Sequence, residues 1–498
     1  MGRNRAPNRC RNRSRGAESE AAMAAEGPPC PGQEPPCHLP GPYALPVIGN
    51  VFDIDNVDVP LLSLQNLAEK YGEVYQLRFP GQNPVMFISS VSLTNEICNE
   101  KRFRKKISSL LVHLSKGVRK SMFTVNTYDE AWGVAHRILM PAFGTASIRS
   151  MLPEMKEITN QMVLKWARHG QEPICVTEDM TRLTLDILGL CGMGFRFNSF
   201  YRPDRLHPFV ESMQQFMSEA DRMVRRLPLL GLFYRSRDRQ FWRDIGVMRG
   251  WAEEIVRARR NNLTGVHGTK RTDLLEVMLD CADPKTGKKL TEDLVVDNLT
   301  SFLAAGHETT SGMLSFALYE LLCHPEALRR TRDEVDAVCG RGPVTAEHLG
   351  SLNYVTAVLR ETLRLHPTIP GFMVEAVEDT VIGGGFVAAK GQTVTCLVES
   401  VHLDKAVYGE DSHEFKPERM SNDAFRDRQR RFGNCWKPFG NGSRSCIGRP
   451  FAWQEGLLAL AVILQNFDVA LADPGYKLRR DSLKSLDRDT SIVAKNGL

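Results

Sequence analysis

Apolar residues recur along much of this chain at the spacing of one helix face. This helical period is shown by the segments LLSLQNLAEKYG, SIRSMLPEMKEITNQMVLKWARHG, HPFVESMQQFMSEADRMVRRL and DIGVMRGWAEEIVRARRNN. A long helix is predicted from about Leu290 to His324, and a further apolar helix over FAWQEGLLALAVILQNF. Two short runs, VYQLRF and PVMFISS, are typical of a pair of strands. The segments with a clear period are therefore mostly helical.

The composition of the 498 residues is that of a soluble globular protein, with 42% hydrophobic and 25% charged residues. The net charge of +5 is small, which argues against a nucleic-acid partner. The 12 cysteines show neither the paired spacing of a disulfide framework nor the spacing of a zinc site. We interpret Cys191, Cys323 and Cys396 as reduced core residues, which predicts a cytoplasmic protein.

Residues 1–40 differ from the rest of the chain. Six arginines lie within the first sixteen positions, and a stretch rich in Pro, Ala, Gly and Glu follows. This composition buries too little apolar surface to order itself, so we predict a disordered tail. An organelle transit peptide is an alternative that Glu18 and Glu20 disfavour, and a true start at Met23 is another. Since no apolar run here approaches the length of a bilayer crossing, we expect no transmembrane anchor.

The string FGNGSRSCIG carries the strongest chemical signal in the sequence. Gly440 and Gly442 allow a tight turn, and Arg444 supplies a fixed cation that suits an anionic group. The apolar helix that follows points its N–H groups at Cys446 and lowers the pKa of that thiol. A lone cysteine is more often a small buried hydrophobe, but the spacing F-x2-G-x-R-x-C-x-G overturns that interpretation. The string resembles the haem-ligand loop of the haem-thiolate monooxygenases, the cytochrome P-450 superfamily, which implies that Cys446 is the axial ligand of a haem iron.

A second motif, FLAAGHETTSG, lies within the long predicted helix. Gly306 beside Thr309 and Thr310 invites a local loosening, because threonine hydroxyls bond back to carbonyls one turn earlier. The resemblance implies that Glu308 and Thr309 are the family's acid–alcohol pair, which relays protons to oxygen at the iron. A kinked core helix with one polar spot is the alternative for this string taken alone.

A third motif pairs an acid with two arginines. Glu361 and Arg364 in VLRETLRLHP lie at i and i+3, and therefore on one helix face. With Arg419 in FKPERM they resemble the family's buried Glu–Arg–Arg cluster, and an ordinary surface ion pair is the alternative. The three motifs follow one another in the family's order, and this joint occurrence identifies the chain as a member of the superfamily.

The resemblance extends from about Gly41 to Asn496, where strings such as EDMTRLTLDILGLCG and FRFNSFYR are similar to the haem domain of bacterial and fungal self-sufficient fatty-acid hydroxylases. It implies a cytochrome P-450 fold, mainly α with a small β region, in one domain over residues 41–498. It implies haem b as the cofactor, held by Trp132, His136, Phe439, Arg444, Cys446 and Gly448. It also implies a substrate pocket with the candidate wall residues Phe123, Ala304, Ala305 and Ile369.

Two of these assignments have plain alternatives. Trp132 and His136 lie four apart on a predicted helix and so share a face, but a core tryptophan beside a surface histidine has the same spacing. Phe123 is also compatible with an ordinary core phenylalanine.

The first strand turn departs from the hydroxylases. There, an arginine after Pro-Gly and a tyrosine a few residues later hold the substrate carboxylate, but RFPGQNPVMFISS has Gln82 and Phe87 at those places. A buried carboxylate needs a cation or good donors, and Gln82 and Asn83 donate without charge, whereas Arg78 is a nearby cation that would substitute. We predict a fatty-acid or lipid-like substrate, with a neutral secondary metabolite as the alternative.

The expected source of electrons also differs. No Gly-rich nucleotide loop follows Cys446, so we expect NADPH, FMN and FAD to act only through a separate flavoprotein reductase, unless the gene is truncated. The segment FRDRQRRFGNCWK presents a patch of cations that suits an acidic flavodoxin-like partner, namely Arg426, Arg428, Arg430, Arg431 and Lys437. A solvated loop with scattered charge is the alternative.

These observations predict a haem-thiolate monooxygenase that inserts one atom of O2 into a C–H bond of a small apolar substrate. Glu308 and Thr309 disfavour a peroxide-dependent peroxygenase or isomerase, since such relatives commonly lack that pair. A haem- or lipid-binding sensor without turnover is the non-enzymatic alternative.

Overall fold

The computed structural model describes residues 39–54, 60–107, 110–170, 172–202, 204–224, 226, 231, 233–261, 273–478 and 491–496. All but the last two residues of the predicted N-terminal tail lie outside these ranges. The described chain is mainly helical with a small β region, which confirms the predicted fold class. Within this part of the chain, no helix combines the length and the apolar character that a bilayer crossing requires.

The described ranges contain eighteen α-helices. They are α1 (Pro60–Tyr71), α2 (Val91–Ile97), α3 (Leu110–Val118), α4 (Glu130–Leu139), α5 (Thr145–Ser150), α6 (Leu152–His169), α7 (Val176–Met193), α8 (Pro208–Val224), α9 (Arg235–Arg260), α10 (Leu274–Asp280), α11 (Glu292–Cys323), α12 (Pro325–Cys339), α13 (Ala346–Ser351), α14 (Asn353–Leu365), α15 (Val398–His402), α16 (Lys405–Tyr408), α17 (Asn422–Phe432) and α18 (Arg449–Asn466). Polar side chains start several of them: Thr291 Oγ1 accepts the Leu294 N–H before α11, and Asp129 Oδ1 accepts the Ala131 N–H before α4.

Ten strands form three small sheets in the described chain. They are β1 (Val74–Leu77), β2 (Val85–Ile88), β3 (Phe103–Lys105), β4 (Ile174–Cys175), β5 (Gly371–Ala376), β6 (Thr380–Ile382), β7 (Phe386–Ala388), β8 (Thr393–Leu397), β9 (Phe467–Leu471) and β10 (Ser491–Asn496). The largest sheet has the order β1-β2-β8-β5-β3, in which only β2 and β8 run parallel. The others are β4-β10-β9 and the pair β6-β7, both antiparallel.

Helix α11 is the axis of the core, with α7, α9, α14 and α18 packed around it. A β-carbon at Gly306 would lie 2.8 Å from Leu188 Cδ2 of α7, and one at Gly456 of α18 would lie 2.6 Å from Met313 Cε. The two glycines therefore let α7 and α18 approach α11 closely. This packing fixes the helix that follows the cysteine string against the helix that carries FLAAGHETTSG.

The predicted segments form the predicted elements, with shifted ends. The segment SIRSMLPEMKEITNQMVLKWARHG divides into α5 and α6, because Pro153 in the first turn of α6 has no N–H for a continuous helix. The basic segment FRDRQRR, whose alternative interpretation was a loop, lies in α17. Cys191 and Cys396 are buried as predicted, but Cys323 is exposed at the last position of α11, so its assignment to the core was wrong.

Candidate active site

The cysteine loop, residues 439–448, turns tightly on its own backbone. The Cys446 N–H donates to the Phe439 carbonyl at 2.8 Å. Gly440 and Gly442 have φ angles of 75° and 55°, in the left-handed region that favours glycine. The tight turn that the sequence predicts at these two glycines is therefore present.

Glu100, which was not predicted from the sequence, forms hydrogen bonds to this loop. Its Oε1 accepts from the N–H of Ser443 at 2.9 Å and from the Ser443 hydroxyl at 2.6 Å. The Glu100 carboxylate also occupies the space that a β-carbon at Gly442 would need. A tertiary contact across 343 positions leaves no local signal in the sequence.

The Cys446 sulfur lies just before α18. Burial raises the pKa of the Cys446 thiol, whereas hydrogen bonds from the N–H groups of Gly448 and Arg449 and the charge of Arg449 lower it. Although the sulfur lies deep among protein atoms, the Cys446 side chain is exposed, so open space adjoins it. A sulfur with fixed N–H donors on one side and open space on another suits an axial metal ligand.

Side chains from distant segments meet beside the cysteine loop. The Arg444 guanidinium lies 5.0 Å from the centre of the Trp132 ring, and Trp132 stacks on His136 with ring centres 4.8 Å apart. Trp132 and His136 therefore share one face of α4, as their spacing predicts. Burial, and then the charge of Arg444, lower the pKa of His136.

Lys105 also belongs to this cluster, although it was not predicted from the sequence. Its Nζ donates to the Phe123 carbonyl at 2.8 Å and lies 4.7 Å from the centre of the Phe123 ring. Burial, and next the charge of Arg444, lower the pKa of Lys105 to about 7. The sequence signal for Lys105 is the basic run KRFRKK. Successive side chains of β3 point to opposite faces of the sheet, so Arg104 meets Glu375 and Lys105 lies on the other face.

The cluster has the donors that haem propionates require. Among the described residues, Arg444 and Lys105 form no ion pair with a carboxylate; Arg444 instead donates to the Thr127 hydroxyl at 3.3 Å and to the carbonyls of Met122 and Val125 at 3.0 and 2.9 Å. Burial lowers the pKa of Arg444 to about 10, which shows the cost of holding this charge away from water. Two desolvated cations beside a thiol with open space fit the two propionates and the iron of haem.

Helix α11 carries its motif without a break. The loosening predicted at Gly306 was wrong: the helix is continuous over its length, and Gly306 makes room for Leu188. The back-bond foreseen for threonine is present, since Thr309 Oγ1 donates to the Ala305 carbonyl at 2.8 Å.

One face of α11 is less buried than the rest of the helix. Ala305 is exposed and Ala304, Glu308 and Thr309 are half-buried, whereas most of the helix is buried. Residues 305 and 309 lie one turn apart and so share this face. The proton-transfer role of Glu308 and Thr309 stays a prediction.

The other candidate pocket residues also have unusual exposure for apolar side chains. Phe123 and Ile369 are each 41% exposed, so the interpretation of Phe123 as an ordinary core residue was wrong. Phe123 adjoins the cation cluster through Lys105, and Ile369 lies in the short connection from α14 to β5. Their assignment to one pocket stays a prediction.

The third motif forms a buried ionic cluster. The Arg364 Nε lies 2.7 Å from Glu361 Oε2, and the Arg419 Nε lies 3.0 Å from Glu361 Oε1. Glu361 and Arg364 are fully buried, which rules out the alternative of a surface pair. Arg364 also donates to the His402 carbonyl at 3.0 Å and so ties α14 to α15.

A cavity of about 230 Å³ adjoins the cysteine loop; its lining includes Cys446, Phe439, Trp436 and Arg449. The Arg449 guanidinium lies 5.7 Å from the centre of the Trp436 ring and 5.5 Å from that of Phe439. Arg449 was not among the residues predicted from the sequence, where its signal is a cation three positions after the cysteine.

Two arginines of the basic patch pair with acids of the same helix. Arg426 pairs with Asp423 at 2.6 Å, and Arg430 pairs with Asp427 at 2.6 Å. Arg428 donates to the Arg419 carbonyl and lies over the Tyr408 ring, so it supports the fold. The charge that α17 offers to a partner is therefore smaller than the sequence predicts.

The first strand turn presents no buried cation. Phe87 is 5% exposed and stacks on Tyr75 with ring centres 5.1 Å apart, under α1. Arg78, Gln82 and Asn83 are exposed. Phe87 is thus a core residue of the sheet.

Comparisons with known proteins agree with this geometry. The family model of cytochrome P450 matches residues 39–488. A bifunctional cytochrome P450/NADPH–P450 reductase of Fusarium oxysporum is 48% identical over 442 residues, which cover 88% of this chain and 41% of that protein. A self-sufficient cytochrome P450 monooxygenase of Exserohilum turcicum is 47% identical, over 89% of this chain and 40% of that protein. The chain thus spans about two fifths of the length of these relatives. It belongs to the cytochrome P450 family, as the sequence predicts, and haem is the cofactor of that family.

Proposed function

We propose that this chain is a haem-thiolate monooxygenase that inserts one oxygen atom from O2 into a C–H bond of an apolar, fatty-acid or lipid-like substrate. The observation that carries the proposal is the Cys446 sulfur, which has N–H donors from Gly448 and Arg449 and open space beside it. Bound haem would supply the activation of O2, to which a thiolate ligand contributes electron density.

The protein's first task is to hold the cofactor. Cys446 would ligate the iron, while Arg444 and Lys105 would bind the propionates, with Trp132 and His136 beside them. Each propionate would give a half-buried cation an anionic partner in place of the water it has lost, so binding would offset the desolvation that now lowers the pKa values of Arg444 and Lys105.

The second task is to deliver protons and exclude water. Thr309 would hold a proton at its Oγ1, which the Ala305 carbonyl already orients, and Glu308 would exchange protons one position away. The half-buried or exposed apolar residues Phe123, Ala304, Ala305 and Ile369 would form the wall that keeps water from the reacting C–H bond.

The third task is to accept electrons from NADPH through the FMN and FAD of a flavoprotein reductase. The names of the Fusarium oxysporum relative and of others include such a reductase, which supports this partner for the present chain. Helix α17, which lies beside the cysteine loop and carries the basic patch, forms the face on which we place the contact.

Reconstitution tests the proposal. The haem-loaded chain is mixed with an NADPH-dependent flavoprotein reductase and a saturated long-chain fatty acid, and NADPH use, O2 use and hydroxylated product are measured. We expect product that depends on all three components. Haem binding without O2 use would instead support the non-enzymatic sensor, and product that forms only with added peroxide would support a peroxygenase.

A hydroxylase of a neutral metabolite is the second candidate. It is favoured by Phe87, which has no hydroxyl and is buried against Tyr75, and by Gln82, which has no charge. Titration of the ferric protein with a fatty acid and with its methyl ester, followed by the haem spin state, separates the two. A saturable shift with the acid would support a lipid acid as substrate and make Arg78 the next residue to replace. A shift with the ester alone would support the neutral substrate.

A further inference from the structure

The segment that carries Phe123, residues 117–125, is fixed from two opposite sides. On one side, Arg444 donates to the carbonyls of Met122 and Val125, and Lys105 donates to the carbonyl of Phe123. These bonds tie the segment to the cluster that would hold the haem propionates. On the other side, side chains of α9 and α11 form hydrogen bonds to the segment.

The second set of bonds ends on two adjacent side chains of α11. Asp297 Oδ2 accepts the Lys120 N–H at 3.1 Å, and Asn298 Oδ1 accepts the Met122 N–H at 2.8 Å. The two polar groups of Met122 are thus held by different elements, its N–H by α11 and its carbonyl by the cysteine loop. Phe123, the next residue, has little freedom to move relative to either.

Asn298 lies on the face of α11 that carries the candidate catalytic residues. Residues 298 and 305 are seven positions, and therefore two turns, apart, which places them on one face at a separation of about 10 Å along the axis. Ala305 and Thr309 continue that face. The Phe123 segment is therefore hydrogen-bonded to the same face of α11 on which Ala305 and Thr309 lie.

A buried ion pair holds Asp297 in place. Its Oδ1 lies 2.7 Å from Arg249 Nη1 of α9, and the two side chains are 5% and 8% exposed. The same Arg249 Nη1 also donates to the Gly117 carbonyl at 3.3 Å, at the start of the segment. A buried carboxylate keeps its geometry when both of its oxygens are engaged, and here one binds Arg249 and the other binds the segment.

The backbone of the segment needs this support. Arg119 has a φ of 41°, a left-handed conformation that a residue with a β-carbon adopts at a cost. The Thr124 hydroxyl donates to the Arg119 carbonyl at 2.5 Å, which closes the turn from inside. A turn with this conformation at Arg119 persists only where surrounding contacts over-determine it.

We propose that Arg249, Asp297 and Asn298 are positioning residues that set the location of Phe123 and thereby decide which carbon of the substrate is oxidised. The inference rests on the proposed function, since it concerns the substrate of that reaction. It assigns to Arg249, Asp297 and Asn298 a role in regioselectivity that does not require their direct contact with the substrate.

Two variants of the haem-loaded protein test this. Arg249→Met breaks the pair but leaves a buried unpaired carboxylate, which can impair folding. Arg249→Met/Asp297→Leu removes both charges, so its fold is expected to survive while the bond to the Lys120 N–H is lost. Arg259→Met is the matched control, because Arg259 is an arginine of the same helix that pairs with Asp273 and donates to the Met193 carbonyl, away from residues 117–125 in the sequence.

Two readouts distinguish positioning from simple destabilisation. Hydrogen exchange followed by mass spectrometry reports the protection of residues 117–126, and the distribution of hydroxylated positions along a saturated fatty acid reports regioselectivity. In the double variant we expect roughly tenfold faster exchange in this segment alone and a shifted product distribution. In Arg259→Met we expect neither change.

Unchanged exchange of residues 117–126 in the double variant would overturn the inference, and so would equal changes in Arg259→Met. Exchange is measured without substrate or reductase, so this arm does not depend on turnover. If the unaltered protein gives no product with any fatty acid, the proposed function fails while the exchange arm still decides whether the pair holds the segment.

Discussion

His402 connects the buried ionic cluster of α14 to Lys437, which lies just before the cysteine loop. Its Nε2 accepts the Lys437 N–H at 2.8 Å, and its Nδ1 lies 3.0 Å from the Arg364 carbonyl. Since one ring nitrogen accepts and the other faces an acceptor, the imidazole is neutral, with its proton on Nδ1. Burial, and then the charge of Arg364, lower the pKa of His402 to about 3.

His402 should make the protein sensitive to acid. The folded-state pKa of about 3 is below the ordinary value of 6.5, so the folded protein binds fewer protons than the unfolded chain between these values. The stability that His402 contributes is present above pH 6.5 and is lost as the pH falls toward 3. We expect His402→Gln to flatten this part of the dependence of the free energy of unfolding on pH. Urea melts at pH 7 and pH 5 check this, with His413→Gln, an exposed site, as the control; equal slopes in both variants would contradict it.

Cys446 is expected to be indispensable as a ligand. Cys446→Ser replaces a thiolate by a hydroxyl that is not ionised at neutral pH, so the carbon-monoxide spectrum of the reduced protein should lose its thiolate character and product formation should fall to background. Cys323→Ser, at an exposed position, should leave both unchanged. A thiolate-type spectrum in Cys446→Ser would assign the ligand elsewhere.

Lys105 should destabilise the apoprotein but slow the loss of bound haem. Burial and the charge of Arg444 lower the pKa of Lys105 to about 7, so at neutral pH its ammonium form is costly when no anion is bound. Lys105→Met should therefore stabilise the apoprotein and speed haem loss roughly tenfold. Melting of the apoprotein and transfer of haem to an acceptor globin measure the two effects. Lys101→Met, in the same basic run but exposed, should show neither, and slower haem loss in Lys105→Met would exclude Lys105 as a propionate ligand.

Thr309 is expected to couple electron use to product. Thr309→Ala removes the hydroxyl that donates to the Ala305 carbonyl, so product per NADPH should fall roughly tenfold or more, while peroxide release rises. Thr309→Ser retains the hydroxyl and should keep most of the coupling. Parallel assays of NADPH, peroxide and product compare the three proteins. Unchanged coupling in Thr309→Ala would remove this residue from the mechanism.

Gly306 should accept an added methyl group less readily than a helical glycine with open space beside it. An added β-carbon would lie 2.8 Å from Leu188 Cδ2, a side-chain atom that has to move, so the free energy of unfolding of Gly306→Ala is expected to lie about 1–3 kcal/mol below that of Gly250→Ala. Gly250→Ala in α9 is the matched control, since no neighbouring side chain lies within 4 Å of the position that its new methyl group would take; it should stabilise the helix by up to about 1 kcal/mol. Denaturant melts give both values. If Gly306→Ala stabilises the protein as much as Gly250→Ala does, the glycine has a role other than close packing.

The predicted chemistry of the site rests on local sequence, because a ligand loop needs its residues in one order over a few positions. Cys446, its two glycines and the helix after it lie within one short segment, and the structure keeps them as the sequence predicts. Trp132 and His136 share a face for the same local reason, since four positions make about one helical turn.

Contacts between distant segments depend on the folded core and leave no local signal in the sequence. Lys105 meets Arg444 and Phe123, and Glu100 meets the cysteine loop, because the folded core brings β3 and the residues just before it to that loop. Periodicity reports which residues share a face of one element, whereas packing alone determines what that face meets.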